Sequence, residues 1–250
     1  MHTITVPYHL DERLPDLDLP FDAAQTITAT LPGGDEWDRL AALYQAVAGP
    51  VSAAVTGGDV PLVLSGDCTT ALGTVAGLQA AGTQPAVIWF DAHGDVQTVE
   101  TTTSGYLAGM ALRLLTEYRP ELIATRLGLT AVPEQRILLL DARDLDPPEV
   151  SYLAGAQIHR AQVAELTAAD LPAGPLYVHV DLDVIAPAEL PGLRFPTPGG
   201  PGVAEVAGAL RLIMDTGRVA AVGLACSWYP GHAAAARVRQ PLAAALGLAG

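Results

Sequence analysis

Cysteine, aromatic side chains and basic residues are all scarce in this 250-residue chain, and each shortage closes off a class of protein. Two cysteines, Cys68 and Cys226, are too few for a disulfide framework, although an even pair still permits one bridge. A reduced, cytoplasmic setting is the expectation that follows. Lys and Arg number 13 against 27 Asp and Glu, a formal charge of −14 that would repel a phosphate backbone rather than displace its counterions. Nucleic acid is therefore not an expected partner. No apolar run nears the roughly 20 residues that cross a bilayer, and Met1-His2-Thr3-Ile4-Thr5-Val6-Pro7 has no basic start followed by an apolar stretch. No membrane is expected as a partner. What the chain has in quantity is apolar surface, 50% of its residues, enough for one large core. A single domain over residues 1–250 is the default at this length.

Four short runs rich in Val, Ile and Leu have the length and near-continuous apolarity of strands buried on both faces. They are Pro61 to Ser65, Ala86 to Phe90, Arg136 to Leu140 and Leu176 to Asp181. Val219 to Cys226 is similar, and Thr3 to Val6 adds a candidate edge strand. Helical spacing fills the intervals: Trp37 to Val55, Thr70 to Ala81, Leu107 to Tyr118, Val203 to Asp215 and Ala233 to Leu248. The alternation predicts an α/β chain with a mainly parallel central sheet covered by helices on both faces. Ala186 to Gly202, dense in Pro and Gly, reads as a long ordered loop over one sheet edge, and Asp11 to Asp22 as a solvated acidic loop.

In open parallel sheets ligands bind outside the carboxyl ends of the strands. Four of the five runs end in acid there: Ser65-Gly66-Asp67-Cys68, Asp91-Ala92-His93-Gly94-Asp95, Leu140-Asp141 and Asp181-Leu182-Asp183. Carboxylates gathered on one hydrophobic edge repel one another unless cations neutralise them, so a metal is the economical answer. Alternate side chains of an extended segment point the same way, and Asp91, His93 and Asp95 thus offer two hard oxygens and one imidazole. Asp181 and Asp183 repeat the spacing. Any one such Asp taken alone could equally be a cap or turn residue.

These motifs resemble the arginase/agmatinase (ureohydrolase) family over nearly the whole chain and in the same order. The resemblance is closest where Asp91-Ala92-His93-Gly94-Asp95 runs on to Thr101-Thr102-Thr103-Ser104-Gly105, and where Arg143-Asp144-Leu145-Asp146-Pro147 follows. It implies a three-layer α/β/α fold with two Mn²⁺ ions roughly 3.5 to 4 Å apart, whose hydroxide attacks a guanidinium carbon and releases urea. Carried over by position, Asp91, His93, Asp95, Asp181 and Asp183 are implied as ligands, and Cys68 stands where the family has a first histidine. Gln97, Thr102, Ser104 and Asp146 stand where the substrate's amino-acid end is held. Asp95 is also implied in catalysis. A small-molecule substrate and a homo-oligomer, trimer or hexamer, are implied as partners.

The departures bear on chemistry. A Cys68 thiolate among four Asp ligands leaves two divalent ions one negative charge in excess and makes Zn²⁺ or Fe²⁺ plausible beside Mn²⁺. Cys68 as ligand is the preferred expectation, with a single-metal site or a nucleophilic Cys68 as alternatives. Ala108 replaces the histidine to which proton transfer is ascribed, and His232, on a loop near the expected site, is the candidate replacement. Ser227 replaces the glutamate that pairs with the guanidinium, and Tyr106 an asparagine. An amino-acid-like guanidine is the expected substrate, and an N-hydroxylated one, being less basic, is easier to accommodate. The alternatives are a non-catalytic binding homologue, whose cleft Tyr106 or Trp228 would plug, and a hydrolase of amide or formimidoyl groups. Cys226 is expected to be a packing residue and His179 to sit behind the ligands.

Overall fold

The computed structural model describes residues 1–248. The chain runs β1 (His2–Val6), β2 (Tyr8–His9), β3 (Glu12–Arg13), β4 (Gln25–Thr26), α1 (Glu36–Thr56), β5 (Pro61–Ser65), α2 (Thr70–Ala80), β6 (Ala86–His93), α3 (Ala111–Leu114), α4 (Ala124–Leu127), β7 (Ile137–Asp144), α5 (Pro147–Gly155), β8 (His159–Ala161), β9 (Leu176–Asp181), α6 (Val203–Met214), β10 (Val219–Ala225) and α7 (Ala234–Leu246). One eight-stranded sheet has the order β4-β1-β5-β10-β9-β6-β7-β8, every pairing parallel, while β2 and β3 form a small antiparallel ribbon.

Strand alternation divides the apolar residues between two cores. Val63, Val87, Trp89, Leu139 and Tyr177 face α1 and α2, whereas Leu64, Ile88, Phe90, Leu140, Val178 and Leu224 face α6 and α7. The result is the expected α/β/α sandwich. Helix α1 is started by Asp35, whose carboxylate accepts the Asp38 amide at 2.8 Å. Gly73 and Gly77 on α2 let it approach α1 closely, since a Cβ at Gly77 would lie 2.6 Å from the Ala48 carbonyl oxygen. None of the described helices is long and apolar enough to cross a membrane.

Several sequence expectations are corrected. Strand β1 is not an edge: β4 pairs outside it. The helix expected over Leu107 to Tyr118 is a 3₁₀ turn (Leu107–Met110) running into the single turn of α3. Backbone groups there bond sideways instead of along a helix, Gln97 N donating to Gly109 O and Arg113 N to Asp95 O, both at 3.0 Å. The acidic stretch 11–22 is only partly solvated. Leu17, Leu19 and Phe21 pack against the core, and the Asp18 carbonyl accepts Trp228 Nε1 at 2.9 Å. Loop 186–202 is irregular as expected and is clamped by Arg143, which pairs with Asp141 and donates to the carbonyls of Val184, Thr197 and Pro198 at 3.0, 3.0 and 3.1 Å.

Candidate metal centre and its cavity

The sheet order sets β5, β10, β9, β6 and β7 side by side, so the acids that end these strands gather at one edge. The β6–β7 pairing slips between Asp91 and His93, with Asp141 and Ala142 at φ +78° and +46°. That bulge carries β6 onward past Phe90 and aims Asp91 and His93 to the same side. Asp91 Oδ1 lies 3.2 Å from His93 Nδ1 and accepts the His93 amide at 2.8 Å, while Trp89 Nε1 donates to Asp91 Oδ2 at 3.1 Å. Asp183 Oδ2 is also 3.2 Å from His93 Nδ1. Cys68 Sγ lies 2.8 Å from Asp181 Oδ2, which also accepts Ser227 Oγ at 3.1 Å.

Among the described residues, two groups of side chains can each present ligand atoms within 4.8 Å of one another: Cys68, Asp91 and Asp181, and Asp91, His93 and Asp183. Asp91 belongs to both. Asp95, held at φ +52°, has a buried Oδ2 with no hydrogen-bond partner. An orphaned carboxylate oxygen beside other buried acids fits a cation as its partner. Hard carboxylate oxygens, one imidazole and one thiol suit divalent first-row metals.

Burial and mutual repulsion shift the protonation of these groups. Burial, then Asp91 and Asp181, push the Asp95 carboxyl well up, and burial with Asp183 and Asp91 does the same to Asp181. Burial and the neighbouring Asp181, Asp95 and Asp91 raise the Cys68 thiol. Burial, then Asp91, lifts Asp183 to about 6. Burial would lower the His93 imidazole, but the hydrogen bonds to Asp183 and Asp91 prevail and hold it up to about 12. His179 sits behind the cluster as expected, reaching it through Trp89, on which it stacks at 3.8 Å. Burial drops His179 to about 3, so it is neutral.

A cavity of about 310 Å³ opens over this cluster. Cys68, His93, Asp95, Asp181, Asp183, Gln97, Thr102, Ser104, Asp146 and Ser227 line it, with Asp91 buried behind them. Gln97 is oriented at both ends, its Nε2 donating to Asp146 Oδ2 and its Oε1 accepting Thr101 Oγ1, each at 2.8 Å. His232 is not brought in. It is exposed, with its ring against Gly192, where a Cβ would lie 2.6 Å away. The cleft is not plugged, because Tyr106 stands in the wall and the Trp228 indole turns away to Asp18.

Sequence reasoning did not single out Glu149 or Phe195, which also line the cavity, whereas Asp67 was among the strand-end acids. Glu149, buried, accepts the amides of Val96 and Asp146 at 3.2 and 3.0 Å, and the Asp146-x-x-Glu149 capping pattern could have found it. Asp67 accepts the Leu10 amide at 2.6 Å. Phe195, on loop 186–202, packs 5.1 Å from Tyr106, and no local signal marks it.

Residues 5–226 match the sequence profile of the Arginase family. An arginase from Bacillus subtilis (strain 168) is 29% identical over 228 residues, 84% of this chain and 77% of that protein. One from Bacillus caldovelox is 33% identical over 202 residues, 73% of this chain and 66% of that protein. The native structure of Bacillus caldovelox arginase at pH 5.6 superposes with a TM-score of 0.82 at 24% identity, covering 98% of this chain and 97% of that one.

Proposed function

The chain belongs to the arginase family, and from that premise we propose that it is a metal-dependent amidinohydrolase of an amino-acid-like guanidine, releasing urea or a urea derivative. The observation that carries the reading is Asp91, common to two candidate ligand groups beside the unpartnered Asp95 oxygen on a cavity floor. Cys68, Asp91 and Asp181 would hold one divalent ion and Asp91, His93 and Asp183 a second, with Asp95 bordering both. Mn²⁺ is the proposed metal, and the Cys68 thiol admits Zn²⁺ or Fe²⁺ as alternatives. Bound there, the ions supply Lewis acidity and an acidified water.

The chain's own groups select the substrate. Acidic lining favours a cationic guest, and the fixed Gln97–Asp146 pair with the Thr102 and Ser104 hydroxyls suits an amino-acid end. At the guanidine end the wall offers the Ser227 hydroxyl, already donating to Asp181, where a carboxylate would pair with a guanidinium. A guanidine less basic than arginine, such as an N-hydroxylated one, loses least by that exchange.

The test pairs metal content by plasma mass spectrometry with urea release, for wild type and Cys68→Ala. Expected are about two ions per chain, fewer in the variant, and faster release of hydroxyurea from N-hydroxyarginine than of urea from arginine. No bound metal after Mn²⁺ loading, or neither urea nor hydroxyurea from any guanidine, overturns the reading; ammonia without either product assigns the site to a formimidoyl or amide substrate.

A further inference from the structure

Ala108 offers the cavity no proton carrier, and His232 lies outside it. A different pair reaches the wall from the start of the chain. Strand β2 lies against the turn between β5 and α2, where Gly66 N donates to Tyr8 O at 2.9 Å and Leu10 N to Asp67 Oδ2 at 2.6 Å. Gly66 is required for that approach, since a Cβ there would stand 2.5 Å from the Tyr8 carbonyl oxygen. His9 is thereby pinned with Nδ1 3.0 Å from Gly66 O and Nε2 3.1 Å from the Tyr106 hydroxyl, the two rings stacked at 5.8 Å. A carbonyl only accepts, which assigns the proton of neutral His9 to Nδ1 and leaves Nε2 to accept from Tyr106. Tyr106 lines the cavity beside Cys68, Asp95 and Ala108.

We propose that His9 and Tyr106 form a proton relay that serves the departing nitrogen of the substrate, in the role Ala108 leaves empty. The relay rests on the hydrolase reading above. As the C–N bond breaks, its electron pair passes to nitrogen, which takes the Tyr106 Oη proton. Doubly protonated His9 passes its Nε2 proton to the Tyr106 oxygen in the same movement. The imidazole, now neutral, keeps its Nδ1 proton on the Gly66 carbonyl, and His9, only half-buried, regains a proton at Nε2 from solvent. Burial, then Asp67 and Cys68, hold the Tyr106 phenol well above its ordinary range, so it remains a donor at neutral pH. Among the described residues lining the cavity, the other groups are carboxyls, a thiol, hydroxyls and an amide, apart from His93, which is taken up by Asp91 and Asp183.

The experiment compares Tyr106→Phe, His9→Ala and His9→Asn with wild type. Asn keeps a donor for the Gly66 carbonyl and guards against a folding defect. General acid catalysis is worth about 100-fold or more, so kcat is expected to fall by that factor in all three while KM moves by only a few-fold. Added imidazole should raise the rate of His9→Ala and leave Tyr106→Phe unchanged, which a purely structural role would not produce. Nitrogen-15 spectra of the Zn²⁺-loaded protein should show His9 protonated on Nδ1, with Nε2 shifting on Tyr106→Phe. An active wild type with variants of unchanged kcat, or a His9 whose Nδ1 carries no proton, overturns the relay alone. A wild type that releases neither urea nor hydroxyurea overturns the amidinohydrolase reading and removes the relay's task, while the spectra still decide the pairing.

Discussion

Replacing Gly77 with alanine measures how tightly the helix that follows Cys68 is seated. A Cβ at Gly77 would lie 2.6 Å from the Ala48 carbonyl oxygen and 2.7 Å from Val51 Cβ. The oxygen is helix backbone and cannot step aside, so α2 must back away from α1 and loosen the packing of Val47, Val51, Val75 and Leu78. Two effects of opposite sign compete. Alanine gains about 1 kcal/mol over glycine inside a helix, whereas overpacking a core costs about 1–3 kcal/mol. Loosened contacts add to the loss, and a net destabilisation of about 1–2 kcal/mol is expected. Gly208 on α6 supplies the control, because a Cβ there meets nothing within 4 Å and the helix gain remains. Gly208→Ala should therefore stabilise by about 0.5–1 kcal/mol. Urea unfolding followed by circular dichroism, at fixed metal concentration and equal m-value, reads both. Gly77→Ala matching wild type, or Gly208→Ala losing stability, would refute the packing argument.

Three further outcomes are expected. Arg143→Met leaves buried Asp141 unpaired and frees three carbonyls, costing about 3–5 kcal/mol and opening loop 186–202 to protease; unchanged resistance counts against the clamp. His93 must lose its proton to bind a cation and Asp183 must be ionised, so with these groups at about 12 and about 6 in the metal-free site, affinity weakens as pH falls and loading at pH 7 releases protons. Titration calorimetry giving the same heat in buffers of differing ionisation enthalpy would contradict that. Trp228→Phe strands the Asp18 carbonyl and should cost about 1–3 kcal/mol; a melting curve identical to wild type argues that the indole bond contributes nothing.

The sheet was legible because buried parallel strands read as unbroken apolar runs, and acids at their ends stood out against that background. Asp91, His93, Asp95, Asp181 and Asp183 could be picked out from spacing alone, since a period of two decides which side chains share a face. The order of the strands could not, because pairing between β5 and β10 depends on contacts far apart in the chain. Leu107 to Tyr118 misled for a related reason: its apolar spacing is helical, yet Gly109 O and Arg113 N serve the Asp95–Gln97 segment. His232 and His9 are both lone histidines outside the strand-end motifs. Only the close passage of Tyr8 over Gly66 separates them, and it depends on strands brought together by folding.

The sheet order also sets a timetable. Asp91 and Asp181 come from neighbouring regions of the sheet but are far apart in sequence, with β7 and β8 made between them, and β10, which separates β5 from β9, is the last strand synthesised. A chain still leaving the ribosome therefore holds Cys68, Asp91, His93 and Asp95 while their partners do not yet exist. A cation met at that stage finds only a fragment of the cluster, and complete loading belongs to the finished fold.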